Sequence, residues 1–315
     1  GKQGIRSCDH LQVGSWKASG QAPNSSLHME ASLRLKAETA RILQAPLPTV
    51  ALITGGSRGY GRELAVALCR ARPNARVALV ATNANALEET QRLCSQQLHA
   101  GARCDTFVAD LGKPAELQSS LESVFQYLTQ ALDVLCKEGK SELLILHNAG
   151  SLGRLAYTHQ LASESAAALD LNVTGFILLT QMLLQRFSHQ AQLPKSKLRI
   201  VLVNISSLLA LQVFPSWSLY ATGKAARDMY MKAVAADAQK CALDVRTLSW
   251  APGPMKTRMM QEILDTCPDD EVLKQFQDME QNQRLVSLVE SAGKLMKLLE
   301  EDSFENAAHI DFFDI

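Results

Sequence analysis

The chain has 315 residues, 47% of them apolar and 20% charged, which is enough to bury a sizeable core in one large domain. Lysine plus arginine equals aspartate plus glutamate at 32 each, so the formal charge balance gives no electrostatic reason to bind nucleic acid or an anionic membrane. Seven cysteines, at positions 8, 69, 94, 104, 136, 241 and 267, are odd in number and never form a C-x-x-C pair, which argues against a metal site or a disulfide framework and for a reducing, cytoplasmic compartment.

Residues 1–47 differ from the rest. The stretch 1–26 is rich in Gly, Ser, Gln and Lys without sustained periodicity, and is expected to be poorly ordered. Met29 is a candidate start of translation, and 31–43 has the pattern of a short helix. Residues 48–315 read as one domain. From Thr49 the chain alternates strand-like and helix-like segments. Strands are expected at 50–54, 76–80, 103–109, 143–147, 199–204 and 245–250, with a short final strand at 309–313; helices begin with 62–72 and 86–100. Nearly all-apolar strands separated by amphipathic helices predict an α/β fold: a single doubly wound, Rossmann-type parallel sheet with helices on both faces. No apolar run approaches the roughly 20 residues of a membrane span.

The first strand runs into Thr54-Gly-Gly-Ser-Arg-Gly-Tyr-Gly61. Glycines at 55, 59 and 61 between a strand and a helix permit a tight turn and let backbone approach a pyrophosphate, which the N–H groups at the helix start then attract. The end of the second strand, Val80-Ala81-Thr82-Asn83, carries no carboxylate for a ribose 2′-hydroxyl. Arg58 offers a fork to a 2′-phosphate, favouring NADP(H), unless it is only a solvated loop charge.

Further along, His147-Asn148-Ala149-Gly150 closes the fourth strand, Asn172 follows in a helical stretch, and Ile205-Ser206-Ser207 closes the fifth. Serine at a strand's carboxyl end sits where ligands bind in open α/β sheets. Tyr220 and Lys224, four apart on a helix, share a face, so the ammonium can favour the phenolate and make the phenol a usable proton donor.

In this order and spacing, T-G-x-x-x-G-x-G, N-A-G, the helix asparagine, I-S-S and Y-x-x-x-K resemble the short-chain dehydrogenase/reductase superfamily over residues 49–257. Finer similarity, in Asn148–Gly153, Asn204–Leu208, Gly223–Met229, Ala251–Pro254 and the ending Ala308–Asp314, is to its sepiapterin reductase branch. The resemblance implies that Tyr220 protonates a substrate carbonyl while hydride arrives from a nicotinamide. Lys224 would bind the ribose, Ser207 hold the carbonyl, and Asn172 support the lysine. The cofactor site it implies comprises Gly55, Ser57, Arg58, Gly59, Tyr60 and Gly61 of the turn, Asp110 and Leu111 after the third strand, Asn148, Tyr220, Lys224, Pro252, Gly253 and Thr257. Ser207, Tyr220, Trp217 and Asp311 would meet the substrate, with Asp311 anchoring a pterin's amino-pyrimidine edge. From the residues alone, Trp217 could equally be a core aromatic and Asp311 an ordinary exposed carboxylate. His147 departs from the family's usual asparagine, and Thr82 from an arginine carried by vertebrate members. Three functions follow: a pterin carbonyl reductase, a broad carbonyl reductase on the same scaffold, or a non-catalytic NADP sensor, which the intact Ser-Tyr-Lys set disfavours. A homodimer is implied by the same resemblance.

Overall fold

The computed structural model describes residues 47–315; the expectations for residues 1–46 lie outside the described residues. Seven strands alternate with helices: β1 (Thr49–Thr54), α1 (Gly59–Ala71), β2 (Arg76–Ala81), α2 (Ala84–Ser95), β3 (Arg103–Val108), α3 (Glu122–Glu138) and β4 (Ser141–His147) form the first half. The second half contains α4 (Glu164–Leu169), α5 (Gly175–Phe187), β5 (Leu198–Ile205), α6 (Ser218–Lys240), β6 (Val245–Ala251), α7 (Arg258–Thr266), α8 (Asp270–Gln281), α9 (Leu288–Glu301) and β7 (Ala308–Asp311). They form one sheet in the order β3-β2-β1-β4-β5-β6-β7, each neighbouring pair parallel. The strand order reverses between β1 and β4, so the carboxyl ends of these strands flank a crevice.

All six residues of β1 are buried, because both faces of the sheet are covered. The period-two alternation of a strand sends Ala51 and Ile53 to one layer, with Leu64 and Leu68 of α1 and Leu295 and Leu299 of α9. Val50 and Leu52 go to the other, with Leu128 of α3, Leu179 and Leu183 of α5, and Met231 of α6. Each fully buried leucine contributes about 1.5–3 kcal/mol, so two apolar layers fix the register of every inner strand.

The sequence expectations hold for all seven strands, with shifts at the ends. The last strand stops at Asp311 rather than Phe313. There the Asp311 side chain accepts from Phe313 N at 3.0 Å, Asp314 accepts from Asp311 N at 2.8 Å, and the chain curls into a short 3-10 turn. The helical stretch Glu164–Ala191 is long and apolar enough by composition to cross a membrane. In the structure it is folded onto the sheet through Phe176, Leu179, Leu183 and Phe187, and is interrupted at Asp170–Thr174 by a π-helical turn that carries Asn172.

Candidate active site

The turn between β1 and α1 is built by approaches that only glycine allows. Gly55 and Gly59 adopt φ of +68° and +55°, the left-handed region that side chains resist. Gly61 has no room at all: a Cβ there would lie 2.2 Å from the Gly55 carbonyl oxygen and 2.4 Å from the Asn148 amide nitrogen. Asn148 closes this arrangement from β4, donating to Thr54 O at 3.1 Å and Gly55 O at 3.2 Å, while Thr54 Oγ1 accepts from the backbone N–H groups of Asn148 and Ala149. Arg58, exposed and extended, caps α1 without a side-chain hydrogen bond, so the first N–H groups of the helix stay free for an anion. The glycine cradle and the uncapped helix start fit a nicotinamide dinucleotide.

The Tyr60 side chain belongs to the core. Its phenol is buried, bonded to Ser291 Oγ at 3.0 Å and accepting from Trp250 Nε1 at 2.9 Å, and Ser291 in turn donates to Pro252 O at 3.0 Å. The turn, β6 and α9 are thereby tied together. The Gly253 backbone has φ +79°, and Thr257 caps α7 with its hydroxyl while its methyl group lies toward Gly59. Ser57 is buried beneath the turn; its carbonyl accepts from Arg62 at 2.8 Å. Asp110 accepts from Gly112 N at 2.9 Å and so shapes the loop after β3, with Leu111 buried beside it.

The second half of the site hangs from β5 and α6. Ser207 follows β5 in extended conformation and its hydroxyl accepts from Leu209 N at 3.2 Å. Tyr220 and Lys224 are both buried on one face of α6, and the Lys224 ammonium lies 5.4 Å from the Tyr220 ring centroid while donating to Ile205 O at 2.6 Å. Burial pushes the phenol above its ordinary range, against the opposing pull of its hydrogen bond with Ser207 and of the Arg227 charge. Burial also holds Lys224 well below the usual lysine range; Arg227 reinforces this and Asp228 opposes it. The expected lowering of the phenol by Lys224 is therefore not what this geometry produces: desolvation wins, and the cation acting on Tyr220 is Arg227.

Asn172 is buried, and both ends of its amide bond the main chain of Ser151, accepting at 2.9 Å and donating at 2.8 Å. It braces the loop after β4 and packs against Gly223, the neighbour of Lys224. Trp217 is buried, stacked on Phe276 at 5.4 Å between centroids and edge-on to Tyr220 at 5.8 Å, so it is a core aromatic that packs against Tyr220. Asp311 lies at the same carboxyl edge, paired in register with Ala251; one of its oxygens caps the terminal turn. His147 is buried and packs edge-on against Phe176 at 4.7 Å; burial and then the Arg227 charge pull its imidazole down to about 3, leaving a neutral structural ring.

Two charged residues escaped the sequence reading. Arg227 is buried, donates to His147 O at 2.7 Å and Ala149 O at 2.9 Å, and lies 4.4 Å from the Phe176 ring centroid. Asp228 is buried beneath Ser206. The signal was available: 220, 224, 227 and 228 repeat at helical spacing, so they share the inward face of one helix.

Comparison with known proteins agrees with this geometry. The model of the short chain dehydrogenase family matches residues 49–268. The chain is 37% identical to sepiapterin reductase of Meriones unguiculatus, over 84% of this chain and 96% of that one, and 35% identical to the Rattus norvegicus enzyme, over 84% and 97%. Among solved structures, levodione reductase superposes with a TM-score of 0.67 at 21% identity, covering 85% of this chain and 97% of that one, a likeness of fold.

Gly61→Ala is expected to cost about 1–3 kcal/mol of stability through overpacking and to weaken NADPH binding at least tenfold. Gly293→Ala, where an added Cβ meets nothing within 4 Å, is expected to be neutral or to gain up to about 1 kcal/mol. Urea denaturation and fluorescence titration of both variants decide it; similar behaviour of the two would refute the close approach.

Proposed function

Because the chain belongs to the short-chain dehydrogenase family, in its sepiapterin reductase branch, we propose that it is an NADPH-dependent reductase of ketones on pterin side chains, of the sepiapterin and 6-pyruvoyl tetrahydropterin type, in tetrahydrobiopterin synthesis. The observation that carries this reading is the convergence of Ser207, Tyr220 and Lys224 with Asp311 along one edge of the sheet. The reduced nicotinamide, when bound, supplies hydride. Ser207 and Tyr220 hold the carbonyl oxygen by hydrogen bonds, and the Tyr220 proton passes to that oxygen as the carbon is reduced, giving the alcohol. The burial that holds the proton on Tyr220 keeps the donor loaded at neutral pH. Lys224 and Arg227 stand beside the phenolate so formed, and Lys224, fixed by Ile205 O, orients the ribose. Gly55, Ser57, Gly59, Gly61, Asn148, Asp110, Leu111, Pro252, Gly253 and Thr257 shape the dinucleotide cleft. Arg58 takes the 2′-phosphate, because Thr82 offers no charge there. The Asp311 oxygen not used for capping accepts from the N–H groups of the pterin's amino-pyrimidine edge.

Half-buried Ile177, Leu178, Met182 and Leu184 leave the outer side of α5 apolar, which supports a homodimer. The free thiols at 69, 94, 104, 136, 241 and 267 support a reducing compartment, the cytoplasm.

Tyr220→Phe is expected to lower kcat by about 10²–10⁴ while NADPH titration stays within about twofold of the parent; retained turnover would remove Tyr220 as the donor. Asp311→Asn is expected to raise KM for sepiapterin by about tenfold and leave KM for a non-pterin diketone unchanged. Equal effects on both substrates would leave a carbonyl reductase without pterin preference. Arg58→Ala is expected to narrow the preference for NADPH over NADH by about tenfold, and an unchanged ratio would make Arg58 a solvated loop charge.

A further inference from the structure

A row of polar side chains crosses the sheet from β5 to β7. Asn204 of β5 pairs in register with Ser249 of β6, and Ser249 with His309 of β7, so the three point to one face. Asp228 of α6 lies over this row. Its Oδ1 accepts from Asn204 Nδ2 at 2.8 Å and from Ser206 Oγ at 2.6 Å, and its Oδ2 is 2.5 Å from His309 Nδ1; Asn204 Nδ2 also donates to Ser249 Oγ at 3.2 Å. Burial alone would raise the Asp228 carboxyl, but the hydrogen bonds from His309, Ser206 and Ser249 outweigh it and hold the group below its ordinary value. An ionised carboxylate can only accept, so Nδ1 of His309 carries the proton and donates.

This carboxylate ties together segments that end in the two halves of the candidate substrate site. Ser206 precedes Ser207, and His309 stands two residues before Asp311, on the same strand. Among the described residues, β7 is a four-residue edge strand, half-buried throughout and paired with β6 alone. So short an edge is weakly held by its ladder alone; Phe312, buried in the core with its carbonyl accepting from Lys294 at 3.2 Å, holds the end of the strand, and the side-chain bond from His309 adds a fixed point to the catalytic helix. Three apolar residues at 204, 249 and 309 would pack such a face more simply, since a buried ionic cluster brings little net stability. What the cluster supplies instead is a fixed distance.

We propose that Asp228 and His309 form a positioning pair that sets the span between the carbonyl-holding Ser207 and the substrate-anchoring Asp311, and so selects substrates of one length. This rests on the pterin reading above. His309 touches no reacting atom; it acts through β7.

The test compares His309→Leu, which removes the donor, with His309→Asn, whose amide nitrogen can occupy the place of Nδ1. Asp228 keeps Asn204 and Ser206 in both, so the catalytic helix retains its remaining bonds. For His309→Leu, KM for sepiapterin is expected to rise about tenfold, the effect of losing one hydrogen bond to a charged group, with kcat and NADPH affinity within about twofold and KM for a diketone lacking the pterin unchanged. His309→Asn is expected to return KM for sepiapterin to within about threefold of the parent. Parallel losses on both substrates, a fall in NADPH affinity, or failure of His309→Asn to rescue would each overturn the proposal and leave His309 a packing residue. If the unaltered chain reduced the diketone but not sepiapterin, the pterin reading would fall and this proposal with it; sepiapterin turnover by the unaltered chain with parallel losses in the variant removes the positioning pair alone.

Discussion

The contact on which the rest of the molecule depends is the approach of α1 to the loop after β4, where Gly61 lies against the Gly55 carbonyl and the Asn148 amide. It brings the start of a helix, with its unpaired N–H groups, down into the crevice at the reversal of strand order. Any side chain at 61 would displace the Gly55 carbonyl or the Asn148 amide that it meets. Because Asn148 bonds the turn from one side and the Tyr60–Ser291–Pro252 chain of hydrogen bonds grips it from the other, the cleft is fixed before any ligand arrives. A preorganised cleft loses less freedom on binding than a loop that must first be ordered.

The second organising element is α6, a helix that buries charge. Its inward face carries Tyr220, Lys224, Arg227 and Asp228 where an ordinary core helix would carry leucines. Each charged group is compensated by atoms other elements supply: Ile205 O for Lys224, the His147 and Ala149 carbonyls for Arg227, and Asn204, Ser206 and His309 for Asp228. Those partners come from the carboxyl ends of β4, β5 and β7. The helix therefore fits only a sheet whose strand ends are already correctly stacked, and the chemistry of the site and the register of the sheet are a single constraint.

Much of this was legible in the sequence, for identifiable reasons. Buried parallel strands are near-continuous apolar runs, so 50–54, 76–80 and 143–147 announce themselves. Glycines forced by left-handed backbone or close approach stand out because nothing else substitutes for them. Local spacing exposed Tyr220 and Lys224. The partnership of Asp228 with His309 was not legible, because the two are 81 residues apart and meet only once β7 takes the sheet edge. The end of β7 was misplaced because the capping bonds of Asp311 and Asp314 override the strand preference of two phenylalanines. The phenol of Tyr60 could not be assigned to the core from sequence, since its partners Trp250 and Ser291 are distant in the chain.

The electrostatic correction at Tyr220 sharpens what the site must do. A cation four residues along a helix lowers a phenol only where that attraction exceeds the desolvation cost of the charged forms. Here both groups are buried, and desolvation raises Tyr220 and lowers Lys224 from their ordinary ranges. Such a pair resists ionising separately. A positive charge nearby favours loss of the Tyr220 proton, and Arg227 supplies one: burial pulls it down only to about 10, so it stays protonated near neutrality. Arg227 is held by the carbonyls of His147 and Ala149, next to Asn148, which grips the glycine turn. Arg227, whose charge favours ionisation of Tyr220, thus hangs from the same loop that grips the glycine turn, so a displacement of that loop disturbs both.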